Sequence, residues 1–151
     1  TSIIGSNLEV PMISRLFSLL LPFVTVFLLS TAPVSAQDPS SGIQSTINGQ
    51  ITAFQTDDFD HAFSFASPSI QRMFGTASNF GAMVRSGYPM VWRPRSYQFG
   101  DLREISGVLW QMVLVQDQSG ALHALDYRMI QVEGTWRISG VQILPAPDLS
   151  V

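Results

Sequence analysis

The chain has 151 residues, room for one domain, and a formal net charge of -3. Its eight basic residues are all arginine and lie scattered, so the clustered positive footprint of a nucleic-acid binder is absent. There is no cysteine, and His61 and His123 are the only histidines, which excludes disulfides, thiolate chemistry and a histidine-rich metal centre.

Residues 1–11 precede Met12 and read as an upstream extension outside the fold. From Met12 the pattern is that of a secretory signal peptide, 12–36. Arg15 supplies a positive start, Leu16–Leu29 an apolar run, and Val34-Ser35-Ala36 the small-x-small cleavage pattern. The run contains Pro22 and is shorter than the roughly 20 residues a spanning helix needs. Cleavage after Ala36 is expected to leave no stable membrane anchor and to place the protein in the periplasm or outside the cell.

The mature chain then opens on a polar leader, 37–42, expected to be mobile. Ile43, Ile47, Ile51 and Phe54 recur on one helical face and predict a helix over 43–55, in which Gly49 marks a close packing contact. Asp57 or Asp58 caps a second helix carrying Phe59, Ala62, Phe63 and Ala66. Ser67-Pro68 restarts a short helix that buries Ile70, Met73 and Phe74 and stops at Gly75. A further helix over 78–86 turns Phe80, Met83 and Val84 inward and ends at Gly87. Tyr88–Arg95 is expected to be extended, because Pro94 keeps Arg93 out of helical geometry.

Strands follow: one over 96–104, then a meander from Ser106 to Leu144 whose last two strands, 122–132 and 135–144, join at Glu133-Gly134. Residues 145–151 form a tail. Helices first and strands afterwards give an α+β domain over 43–144, three N-terminal helices packed on one face of an antiparallel sheet of about four strands.

Loop lengths assign the sheet faces. A two-residue turn at Glu133-Gly134 sets Met129 against Ile138 and Gln131 against Trp136. A four-residue loop, Asp117–Gly120, sets Trp110 against Tyr127, Met112 against Leu125 and Leu114 against His123. The inner face then carries Trp110, Met112, Leu114, His123, Leu125, Tyr127, Met129, Trp136 and Ile138. Gln111, Val113, Val115, Leu122, Asp126, Arg128, Ile130, Arg137 and Ser139 fall outside, where the aliphatic members offer a patch for a partner or a second copy of the chain. A slip of one residue in either loop exchanges these sets.

The segments IQSTINGQITAFQTDDFDHAF, SPSIQRMFG, YPMVWRP and LDYRMIQVEGTWRISGVQIL, with the closing Gly134-Thr135-Trp136-Arg137-Ile138 strand, resemble the nuclear-transport-factor-2-like, or cystatin-like, α+β cone. Within that superfamily the chain is similar to a small secreted bacterial family of unknown function. The likeness spans roughly Ile43–Leu144. It implies a curved sheet, a pocket between sheet and helices, and pairing through the sheet. It implies no activity, because the cone hosts isomerases, dehydratases, binding modules and dimerisation domains alike.

No motif specifies chemistry. Asp57, Asp58, Asp60 and His61 lie too close together on one turn to converge on a metal, and helix capping accounts for them. Asp126 and His123 are the candidate acid/base groups, but on a strand they point to opposite faces and form no dyad. Tyr88, Trp92, Arg93, Trp110, Tyr127 and Trp136 are the candidate ligand-binding residues: aromatic groups with polar handles, and a guanidinium beside Trp92. The expectation is a binding module without cofactor or metal, taking a small apolar or amphipathic ligand in the pocket or a homodimer partner on the outer sheet face. The alternatives are a small isomerase, dehydratase or hydrolase acting through Asp126 or His123, and a purely structural dimerisation domain. An Asp126 inside a pocket favours the enzyme; an Asp126 on the outer face removes that version of it.

Overall fold

The computed structural model describes residues 38–145; the expected upstream extension and signal peptide, Gln37 of the leader and all but the first residue of the tail lie outside them. Asp38 caps the first helix, α1 (Pro39–Gln55), its Oδ1 accepting from Ser40 N at 3.0 Å. Pro39 takes the first turn, where a missing N–H is harmless. The helix therefore starts earlier than its apolar stripe, and Pro39–Gly42, expected in a mobile leader, belong to it. Ile43, Ile47, Ile51 and Phe54 form the predicted stripe and are fully buried. Each contributes roughly 1.5–3 kcal/mol by leaving water.

Local capping sets the next elements. Asp58 caps α2 (Phe59–Ser64) and Ser67 caps α3 (Pro68–Phe74), which ends at Gly75. Thr76 caps α4 (Ala77–Gly87). Where an extended crossing was expected, Pro89–Trp92 forms a short helix, α5. Pro89 is its first residue, and Pro94 ends it by keeping Arg93 out of the helix. Met73, expected inside, is 72% exposed.

Strands β1 (Ser96–Ile105), β2 (Val108–Gln116), β3 (Leu122–Val132) and β4 (Thr135–Ile143) form one antiparallel sheet in that order, with the helices on one face, as the α+β reading requires. The β3–β4 turn is as expected: Val132 pairs with Thr135, Gln131 with Trp136 and Met129 with Ile138. Glu133 and Gly134 both have positive φ (50° and 77°), the geometry of a tight hairpin turn. Beyond Ile138 a bulge sets Arg128 against Gly140.

The β2–β3 pairing differs from expectation by one residue. Gln116 pairs with Leu122, so the loop runs Asp117–Ala121. The cause is the Asp117 carboxylate, whose Oδ1 accepts from Ser119 N, Ser119 Oγ and Ala121 N at 2.9, 2.6 and 3.0 Å. The carboxylate thereby takes the Ala121 N–H, while Ala121 O accepts from Asp117 N at 2.9 Å and Gly120 N donates to Asp117 O at 3.0 Å, so Asp117 and Ala121 face each other across a tight turn. The slip exchanges the two faces of β2. Gln111, Val113 and Val115 are fully buried on the helix side, with Leu125, Tyr127 and Met129 as assigned. Trp110, Met112 and Leu114, expected inside, occupy the outer face with Asp126, Arg128 and Ile130.

The helices are also fastened to the sheet through β4, an edge strand. Ser67 N donates to Ile138 O at 2.8 Å and Ile138 N to Phe65 O at 2.9 Å, so the α2–α3 connection covers part of that edge.

Candidate functional site

The stripe of α1 packs on the sheet, but α3 and α4 stand off its β3–β4 side. Between them is an open-mouthed cavity of about 240 Å³. Gln50 and Phe54 of α1, Ile70, Met73 and Phe74 of α3, and Phe80, Met83 and Val84 of α4 form one wall. Tyr127, Ile138, Gly140 and Val141 of the sheet form the other, and Tyr88 and Val91 the end. No charged side chain lines it. An apolar cavity of roughly 150 Å³ is enough to hold a benzene ring.

Three polar side chains reach this surface. Gln50 is anchored, its Nε2 donating to Ala62 O at 3.2 Å. Tyr88 Oη donates to Val141 O at 3.1 Å, which holds the start of α5 against β4. Tyr127 is 0% exposed, and its hydroxyl has no hydrogen-bond partner among the described residues. Burial pushes the Tyr127 phenol well above its ordinary pKa, with Tyr97 and Tyr88 adding to the effect, so it stays protonated and remains a donor.

Of the candidate ligand-binding residues, the cavity brings together Tyr88 and Tyr127. Trp136 lies against Gly42 of α1. Trp110 is on the outer face. Trp92 and Arg93 belong to a separate cluster around Asp57. Trp92 Nε1 donates to Asp57 Oδ1 at 2.9 Å, and Arg93 Nη2 reaches both carboxylate oxygens at 3.0 Å. Arg93 Nη1 donates to Phe54 O at 2.7 Å, and its guanidinium lies 4.5 Å from the centre of the Trp92 ring. The Trp92 hydrogen bond, then the Arg93 charge, hold the Asp57 carboxyl below its ordinary pKa. Both candidate groups are thus occupied in tying α5 to the α1–α2 turn.

Asp126 lies on the outer face, paired with Arg103, and its side chain is 8% exposed. It is not paired with Arg128, whose Nη1 donates to Ser139 Oγ at 3.0 Å. Asp126 therefore sits across the sheet from the cavity, and the version of the enzyme reading that placed it in a pocket falls.

A family model described as a domain of unknown function, DUF4864, matches residues 36–151, most of the chain. The chain belongs to the DUF4864 family. Comparison with curated proteins and with solved structures finds no match.

This DUF4864 domain has a second, shallower cleft of about 320 Å³ between α5 and the β2–β3 loop, lined by Met90, Trp92, Arg93, Asp117, Ser119 and His123 among others. His123, which the sequence left without a partner, has one here: its Nε2 lies 2.7 Å from Asp117 Oδ2. The His123 bond, followed by Ser119, holds the Asp117 carboxyl far below its ordinary pKa. No nucleophile other than Ser119 lines that cleft, and the Ser119 hydroxyl is donated to Asp117. Among the described residues no group of three acidic or histidine side chains is placed to hold a metal, and Asp58 of the Asp57–His61 cluster serves as a helix cap. No described helix is long and apolar enough to cross a membrane.

Sequence reasoning named the two tyrosines of the cavity and missed Gln50. It turned Ile70, Phe80, Met83 and Val84 inward without assigning them to the pocket that the resemblance implied. Periodicity reports which face turns inward and carries no signal for a gap between layers.

Proposed function

We propose that this DUF4864 domain is a non-catalytic binding module of an exported protein, and that it takes a small apolar or amphipathic ligand in the cavity between α3, α4 and the sheet. The observation that carries this reading is the lining: a pre-formed cavity of about 240 Å³ with apolar walls and no acid, base or cation on them. A hollow between helices and sheet is also what the nuclear-transport-factor-2-like cone has, and the order of elements supports that likeness. The signal-peptide pattern of residues 12–36 supports export, and the family match begins at its expected cleavage position.

Native mass spectrometry of protein purified from its own host is the direct test. A co-purifying small molecule is expected for the parent protein and is lost in Ile70→Trp, which fills the cavity from α3. A ligand that persists in folded Ile70→Trp places the binding elsewhere.

A second reading concerns a partner rather than a ligand. The one-residue slip replaces Val113 and Val115 by the larger Trp110, Met112 and Leu114 on an outer face that also carries Leu122 and Ile130. This favours a homodimer through that face. Sedimentation should then show a dimer that Leu114→Arg converts to monomer; a monomer at all concentrations ends this reading.

A further inference from the structure

We infer that the ligand of this cavity is a neutral molecule with one hydrogen-bond acceptor, a carbonyl or ether oxygen on an apolar body, and that Tyr127 donates to it. The inference rests on the cavity being a ligand site and adds the class of ligand.

A buried hydroxyl without a partner loses about 1–3 kcal/mol of hydration that nothing returns. Tyr127 is such a group, and it stands in the cavity wall. Its strand neighbours do not satisfy it. Val141, paired with it on one side, presents an aliphatic side chain, and the Val141 carbonyl is taken by Tyr88. Gln111, paired on the other side, sends its Nε2 to Gly100 O and Met112 O, both at 2.9 Å, and its Oε1, also buried, makes no hydrogen bond to the Tyr127 hydroxyl. The Tyr127 oxygen is covered, so an acceptor reaches it only as the wall adjusts. Met73 and Met83, unbranched and part of the same wall, can re-pack around an entering molecule.

The same surroundings decide against charge. A carboxylate entering here leaves water for walls without arginine, lysine or histidine, and one phenol does not replace its hydration. A pure hydrocarbon fits the walls and leaves Tyr127 as it was. A neutral oxygen acceptor uses both properties of the site.

Three probes of matched shape separate these cases: acetophenone, α-methylstyrene, which replaces the carbonyl oxygen by a methylene, and benzoate. Affinities are read from amide shifts in NMR titrations of the parent protein and of Tyr127→Phe. Losing the phenol is expected to weaken acetophenone about fivefold, the worth of one neutral hydrogen bond, and to leave α-methylstyrene unchanged. Benzoate is expected to bind neither protein measurably. Tyr127→Phe removes an oxygen without a partner, so its melting temperature should equal or exceed the parent's; Tyr88→Phe, whose lost bond is to backbone, serves as a second variant and should not reproduce the carbonyl-specific loss. If acetophenone and α-methylstyrene bind at the cavity and respond equally to Tyr127→Phe, the acceptor inference is overturned while the cavity remains a ligand site. Benzoate binding as tightly as acetophenone overturns the neutral class. If neither neutral probe shifts the cavity amides, both the inference and the ligand-binding proposal fall.

Discussion

Asp117 and His123 close the β2–β3 loop on itself: Asp117 Oδ2 lies 2.7 Å from His123 Nε2, while Oδ1 gathers three donors from Ser119 and Ala121. One side chain thereby sets the length of the loop, the register of β2 on β3, and the identity of the residues that face the helices. Gln118 extends the same arrangement, its Nε2 donating to Arg93 O at 3.2 Å and tying the loop to the end of α5.

This relationship has an acid signature. The Asp117 carboxyl is depressed from its ordinary value of 3.8 by His123 and Ser119. A depressed carboxyl stabilises the fold fully above its unfolded value and stops doing so as pH falls through its folded value. The melting temperature should therefore hold from neutral pH to about 5, then fall progressively below about 4. Asp38 and Asp57, also depressed, act in the same direction. Asp117→Asn should melt lower at neutral pH and lose part of the decline below about pH 4. Thermal melts of the two proteins across pH 3–7 test this; parallel profiles would show that the carboxylate does not hold the loop.

The close approach of α1 and Phe65 supplies a packing prediction. A Cβ on Gly49 would stand 2.5 Å from Phe65 Cζ, nearer than atoms can approach, so the ring must move. On an open helix Gly→Ala gains about 1 kcal/mol. Here Gly49→Ala should gain nothing or destabilise, and Gly49→Val should cost about 1–3 kcal/mol. Phe65→Leu, which shortens the opposing side chain, should recover much of that loss in the double variant. Chemical denaturation of the four proteins measures the coupling, and additive effects would show that Phe65 is not the obstacle.

The apolar stripe of α1, helices α2 to α4, the Asp58 and Ser67 starts and the Glu133-Gly134 turn were legible in the sequence because their causes are local, whereas the Asp38 cap and α5 were not. A carboxylate or hydroxyl precedes each helix it caps, proline marks first turns, and a turn of two residues fixes its own pairing. The face of β2 was not legible. Asp117-Gln118-Ser119-Gly120 has the composition of a four-residue loop, but Asp117 bonds Ala121 through both its backbone N–H and its side chain, which sets the two opposite each other and moves the register by one. Met73 follows the inward pattern of Ile70 and Phe74, yet it ends in solvent beside the cavity, because α3 covers a gap there instead of a packed layer. His123 gained its partner by the same slip that moved Trp110 outward.

Asp126 provides the test that separates the cavity from the opposite face. Its carboxylate is nearly buried and paired with Arg103, whose side chain is 35% exposed. Breaking a fully buried pair costs about 3–5 kcal/mol, but Arg103 can turn toward water, so Asp126→Ala should cost about 1–3 kcal/mol. Replacing the pair together, Asp126→Leu with Arg103→Met, should be close to neutral, since desolvation of both charges is removed with their attraction. Neither change touches the cavity lining. Binding of a neutral probe to the folded variants should match the parent within about twofold, because the sites are separate and their effects additive. A large loss of probe affinity in a folded Asp126 variant would mean that the outer-face ion pair and the cavity work as one site, and would return Asp126 to the candidates for function.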